Sequence, residues 1–217
     1  MSELTLYSYW RSSASYRVRI VLNLKGLDYV QMPINILGGA TAKSLLNFKQ
    51  INPTELVPVL IDGPLVLNQS LSIMQYLDET YRQVPLLPDN VGEKYRLLSM
   101  AQDITCDIHP LNNLRVLRYL DSNLRVSQDE KGAWYHHWIQ VGFAALEARL
   151  KETAGKYSFG DTVTMLDACL VPQVYNAERF DVDLTPYPII QRIQQALRSE
   201  PAFIKALPEN QPDARLV

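Results

Sequence analysis

The feature that most constrains the fold is the segment Gln83 to Asn90, where Pro85, Pro88 and Asp89 interrupt the chain and its hydrophobic period changes. Before it, short alternating runs take turns with helical ones; after it, nearly every apolar pattern is helical. Leu4, Leu6 and Tyr9 lie in an alternating stretch that predicts a strand, and Val18, Val21, Leu22 and Leu24 recur at helical spacing between Ala14 and Lys25. Gly26 stops that helix. Tyr29 to Ile36 alternates again, Gly38-Gly39 marks a loop, and a short helix around Ala42 to Gln50 ends near Asn52-Pro53. Asp62-Gly63, between the apolar runs Val57 to Ile61 and Leu65 to Leu67, favours a tight turn and predicts a hairpin. Leu71, Met74 and Leu77 predict a helix over Ser70 to Tyr81. The order over residues 1–82 is βαβαββα.

Past the linker at 83–90, residues 91–217 predict helices over Glu93 to Leu120, Ser127 to Leu150, Met165 to Ala177 and Ile189 to Leu197. Gly155, Gly160-Asp161 and Thr185-Pro186-Tyr187-Pro188 separate them. Thr164 and Asp167 form a box-like helix start, in which the threonine hydroxyl accepts from the Asp167 N–H and the carboxylate reaches back. The fold class is a small mixed α/β domain followed by an all-α domain, with no internal repeat.

Composition narrows the partners. The 217 residues suffice for a sizeable core in one or two domains. Lys and Arg number 21 against 23 Asp and Glu, a formal charge of -2, which offers no global field for nucleic acid or an anionic membrane. Cys106 and Cys169 are far apart and form no CxxC pair, so they are expected as free thiols in a reducing compartment. Met1-Ser2-Glu3-Leu4-Thr5-Leu6 has neither a basic nor an apolar leader region, and no window approaches ~18 apolar residues, so a cytoplasmic address is expected. His136 and His137 are adjacent, cannot share a helix face and have no acidic or thiol group at ligand spacing, so no metal is expected.

The string Tyr7-Ser8-Tyr9-Trp10-Arg11-Ser12-Ser13-Ala14-Ser15-Tyr16-Arg17-Val18-Arg19-Ile20, together with the element order, resembles the zeta class of the glutathione transferases. Asn52-Pro53 with Val57-Pro58, Asn68-Gln69-Ser70, Ile108-His109-Pro110-Leu111-Asn112-Asn113-Leu114-Arg115, Val171-Pro172-Gln173-Val174 through Arg179-Phe180, and Gln211-Pro212-Asp213 extend the likeness over almost the whole chain. The resemblance implies a thioredoxin-like first domain, a helical-bundle second domain, glutathione as cofactor and a homodimer. It also implies cis–trans isomerisation of maleylacetoacetate in tyrosine and phenylalanine breakdown. Close relatives isomerise maleylpyruvate. Other readings on the same scaffold are transfer of glutathione to small α-halo acids and a binding module without chemistry. Ala14 stands where the family commonly has cysteine, and Tyr16 where it commonly has tryptophan, so no protein thiol can act at position 14.

The resemblance also carries residue roles. Glutathione's sulfur attacks as thiolate, and lowering a thiol pKa by ~2 units takes about 2.7 kcal/mol of preferential thiolate stabilisation. Ser12, with Ser13 second, is the implied partner of the thiolate beside a helix N-terminus, although a bare Ser-Ser by itself reads as a helix cap. Gln69 and Ser70 are implied to hold glutathione's glutamyl carboxylate, although Ser70 alone reads as an ordinary N-cap. Val57 before Pro58 is implied to pair its backbone with the peptide, the proline bond being cis. His109, Asn113 and Arg115 are implied to face glutathione. Arg17 and Arg179 are the candidates for the substrate carboxylates, Arg17 also for catalysis, because guanidinium binds carboxylate bidentately. Arg11 is a weaker candidate, Arg19 lies on another helix face from Arg17, and Glu178 could equally hold Arg179 in a surface pair.

Overall fold

A computed structural model describes residues 3–37 and 42–216, so Met1-Ser2 and the predicted Gly38-Gly39 loop lie outside the described residues. The chain divides into two units, Met1–Pro85 with Ser199–Val217, and Leu86–Arg198.

The first unit is built on a four-stranded sheet of order β2-β1-β3-β4, with β1 at Leu4–Ser8, β2 at Tyr29–Pro33, β3 at Val59–Asp62 and β4 at Leu65–Asn68. β2 runs parallel to β1, while β3 is antiparallel to β1 with Leu6 opposite Leu60. The Asp62-Gly63 turn closes the β3–β4 hairpin, and Gly63 takes φ 56°, which glycine adopts at no steric cost. Helix α1 spans Ser13–Leu24 and is buried from Ser15 to Leu22. A helix buried nearly all round must pack on more than one face. It does so against α3, Ser70–Thr80, and α9, Pro201–Ala206. Gly26 at φ 64° ends α1, as its position predicts. α2, Ala42–Ile51, brings Phe48 against Ile34 and Val59, with the Tyr7 ring 5.6 Å from that of Phe48.

Two charges inside this unit organise it. Arg19, fully buried, donates through Nε to Ala206 O at 3.2 Å, through Nη1 to Ser8 Oγ at 3.1 Å, and through Nη2 to Trp10 O at 3.0 Å. Burial pushes its pKa down to about 10. Lys25 Nζ bonds Asp78 Oδ1 at 2.8 Å, Tyr81 O at 2.9 Å and Val84 O at 2.8 Å, tying the end of α1 to the chain leaving α3. Asn23 Nδ2 donates to Ala202 O at 3.0 Å, and Asp213 Oδ2 accepts from Trp10 N–H at 2.9 Å. These contacts place Ser199–Val217 with the first unit, correcting the predicted extent of the helical domain at 91–217. Its one α-helix among the described residues has six residues, too short for apolar period to reveal.

In the second unit the predicted helix Glu93 to Leu120 is broken. α4, Val91–Gln102, runs into a π-helical turn at Asp103–Ile108 and a 3-10 turn at His109–Asn112 before α5, Leu114–Ser122. Pro110 has no N–H for an α-helical bond, which accounts for the stop. The π turn meets α6, Gln128–Thr153, at Gly142, where a Cβ would lie 2.3 Å from Ile108. Only glycine admits that approach. α7, Met165–Arg179, is buried from Met165 to Val174, and α8 spans Pro188–Leu197. Glu147 of α6 accepts the Ile189 and Ile190 N–H groups at 2.8 and 3.0 Å, satisfying the open end of α8. No helix among the described residues is long and apolar enough to cross a membrane.

Candidate active site

Ser12 is the N-cap of α1, with φ −68° and ψ 117°, and its Oγ accepts the Ser15 N–H at 3.2 Å. The capping role is therefore real, yet it occupies only an acceptor lone pair of the hydroxyl. The O–H of this half-buried residue can still donate to an anion, on the side where the helix presents its positive end. Ser13, the first residue of α1, is 5 % exposed, and Ala14 adds only a methyl group. Arg11 lies with its guanidinium 4.7 Å from the centre of the Trp10 ring and donates to Tyr9 OH at 3.4 Å.

The Val57–Pro58 bond is cis and leads into β3. Asn52 holds the approach to it, donating through Nδ2 to Leu56 O at 2.8 Å and accepting from Asn68 Nδ2 at 3.1 Å. Ser70 opens α3 and is 6 % exposed. The exposed Gln69 before it takes φ 66° and ψ 112° with no side-chain cap bond. Left-handed backbone in a non-glycine residue costs about 1–3 kcal/mol and gathers at functional turns. The sequence gives no sign of this strain. Arg17, expected to touch substrate, is 1 % exposed and donates from Nη1 to Ser70 Oγ at 3.2 Å. A guanidinium sealed inside the unit does not reach a dicarboxylate in solution, so the structure corrects the substrate-binding and catalytic reading of Arg17. Its bond to Ser70 places it on the side of α1 that packs on α3.

In the second unit, His109 is half-buried at the start of the 3-10 turn after the π turn, and Asn113 caps α5 by accepting the Arg115 N–H at 3.1 Å. Arg115 is exposed. Arg179 ends α7 and is exposed, its guanidinium 4.8 Å from the centre of the Phe180 ring. Phe180 stacks on Tyr135 at 3.8 Å, and its carbonyl accepts from His136 Nε2 at 2.6 Å. Burial pushes the Tyr135 phenol well up, against the opposing pull of Arg179. Glu178 pairs with Arg198. The alternative in which Glu178 holds Arg179 in a surface pair is thus replaced by a different partner. Sequence reasoning assigned nothing to His136, whose contact with the C-cap of α7 is a tertiary feature without a local signal. Among the described residues, no group of three or more His, Cys, Asp and Glu side chains could hold a metal ion.

Comparison with known proteins agrees with this architecture. The family model for the glutathione S-transferase N-terminal domain matches residues 2–79. A probable maleylacetoacetate isomerase of Vibrio cholerae is 53% identical over 99% of this chain and 100% of that protein. The holo structure of a bacterial maleyl pyruvate isomerase of the zeta class superposes with a TM-score of 0.91 at 44% identity, covering 96% of this chain and 99% of that one. The maleylacetoacetate isomerase of Anaeromyxobacter dehalogenans with bound glutathione superposes with a TM-score of 0.87 at 38% identity, covering 98% of each chain. The same enzyme has also been solved with dicarboxyethyl glutathione and citrate in its active site, with a TM-score of 0.85 at 36% identity, covering 99% of each chain. The fold is that of a glutathione transferase. The chain belongs to the zeta class of that superfamily, the class of the maleylacetoacetate isomerases.

Proposed function

We propose that this chain is a glutathione-dependent cis–trans isomerase that converts maleylacetoacetate to fumarylacetoacetate in tyrosine and phenylalanine breakdown, working as a cytoplasmic homodimer. The observation that carries the reading is Ser12, whose hydroxyl caps α1 through one lone pair and keeps its proton for an anion at the helix terminus. The donor set fits glutathione. Ser70 at the start of α3 offers a hydroxyl and helix N–H groups to a carboxylate, and the backbone beside the cis Val57–Pro58 bond offers strand-like pairing to a peptide. Glutathione, when bound, supplies the thiolate that adds reversibly to the cis double bond.

The chain's own residues do the rest. Ser12, with Ser13 beside it, stabilises sulfur as thiolate by hydrogen bonding and the α1 dipole. Arg179 anchors a substrate carboxylate, its guanidinium lying over the Phe180 ring at 4.8 Å. The class resemblance gives His109, Asn113 and Arg115 a role toward glutathione as well. Dicarboxyethyl glutathione in the active site of the Anaeromyxobacter enzyme supports sulfur addition to a dicarboxylate alkene as the chemistry of this class. The maleylpyruvate reading has its own support in the zeta-class maleyl pyruvate isomerase structure.

The test is the isomerisation rate of maleylacetoacetate with and without glutathione, maleylpyruvate run alongside. A glutathione-dependent rate preferring maleylacetoacetate is expected; preference for maleylpyruvate moves the substrate, and no rate on either returns the α-halo acids and the non-catalytic module. Arg179→Ala is expected to raise KM for the dicarboxylate about tenfold or more, the worth of a hydrogen bond to a charged group. An unchanged KM removes it from the site. The homodimer is supported by apolar side chains left exposed on β4, Leu65 and Val66, and on α4, Val91 and Tyr95. Sedimentation at twice the 24.8 kDa chain mass is the expected result.

A further inference from the structure

We infer that Arg17 is a positioning residue for glutathione recognition: from inside the first unit it sets the hydroxyl of Ser70 so that its proton points at the α-carboxylate of the glutamyl group. The inference rests on the proposed use of glutathione and deepens it.

A serine hydroxyl has one proton and two lone pairs. Arg17 Nη1, 3.2 Å from Ser70 Oγ, occupies a lone pair and cannot accept the proton. Ser70 is the first residue of α3, so no helical carbonyl lies one turn earlier to receive that proton, as happens to a serine in mid-helix. The O–H is left to point outward, past the exposed Gln69, which the left-handed φ of 66° turns away from the axis of β4. The N–H groups of the first turn of α3 converge on the same side. A guanidinium that is 1 % exposed also acts in a medium of low dielectric, where its charge polarises the hydroxyl more than a surface charge would. The two residues lie 53 positions apart on different helices, and α1 packs on α3, so the sheet-and-helix framework fixes the pair.

A residue that merely staples α1 to α3 would act on every ligand alike; one that directs Ser70 acts only on a ligand bearing the glutamyl α-carboxylate. The experiment is titration calorimetry of the full chain with glutathione and with 4-aminobutyryl-cysteinyl-glycine, its analogue lacking that carboxylate. Arg17→Gln is expected to weaken glutathione on the order of tenfold, the analogue by less than about twofold, and to leave kcat at saturating glutathione within about twofold. In a Ser70→Ala background the Arg17→Gln effect on glutathione should vanish, because coupled residues are not additive. Arg17→Lys keeps a buried charge with a different reach and is expected to fall between; it carries the same comparison if Arg17→Gln fails to fold. Equal weakening of both ligands, or a loss that persists in the Ser70→Ala background, overturns the inference. A wild-type chain that binds glutathione beside an unaffected Arg17→Gln overturns this inference alone, whereas a wild-type chain that does not bind glutathione overturns the proposed function with it.

Discussion

Ser12→Ala is expected to lower turnover on the order of 100-fold while changing glutathione affinity by less than about threefold, because a donor aimed at developing or localised negative charge acts mainly on the reacting sulfur. The same hydroxyl accepts the Ser15 N–H at 3.2 Å, so the substitution also removes a helix cap, at about 1 kcal/mol of stability. The two effects separate in Ser12→Gly. Glycine at an N-cap costs only a few tenths of a kcal/mol relative to serine, yet it has no hydroxyl. Alanine and glycine should therefore lose turnover equally and differ in melting temperature, and Ser12→Thr should retain part of both functions. Ultraviolet titration of the bound thiol gives the same answer independently: its pKa should rise in Ser12→Ala. Equal loss of turnover and affinity would reduce Ser12 to a cap. Ala14 makes the test clean, since no protein thiol two residues away can substitute for the hydroxyl.

What the sequence made legible was local. Asp62-Gly63 between apolar runs and Gly26 after a helical stripe encode their turns through backbone conformations that glycine takes freely, and both turns are present. The strand and helix order of residues 1–82 followed from periodicity together with turn signals. What escaped was tertiary. Nothing in the spacing of Arg17 and Arg19 says that both guanidinium groups are buried, because long basic side chains on a helix are usually solvated. Arg17 was consequently read as a substrate ligand rather than a partner of Ser70. The break after α4 had one visible signal, Pro110, while the π turn before it is fitted to Gly142 across the helix pair, 34 residues on from Ile108. The C-terminal segment joins the first unit through Asn23, Arg19 and Trp10, contacts spanning about the length of the chain. Ser12, Ser70 and Arg179 were singled out by family likeness, since Ser at a helix start and Glu-Arg on a surface are each ordinary by themselves.

Asp167→Asn should be strongly destabilising to the second unit. The Asp167 side chain is fully buried and accepts the Ser158 N–H at 2.9 Å, the Thr164 N–H at 2.8 Å and the Thr164 hydroxyl at 2.9 Å. The bond back to Thr164 is half of the box that the sequence predicts, and the bond to Ser158 ties the preceding loop to the start of α7. An amide in its place turns an NH2 group toward at least one of these donors. Leaving buried donors unmet costs about 1–3 kcal/mol each, so a loss of about 3–5 kcal/mol is expected in urea unfolding. The pH dependence has a definite sign. Burial holds the Asp167 carboxyl above its ordinary value, outweighing the donors that pull it down. Between the ordinary value and the raised one, the folded chain keeps a proton that the unfolded chain has lost, so wild-type stability falls as pH rises across that window. An asparagine has no such titration. The deficit of Asp167→Asn relative to wild type should therefore narrow from acid toward neutrality and level off above the raised value, still sizeable because the donors remain. A deficit that widens with pH would show that the three hydrogen bonds outweigh burial and hold the carboxyl low.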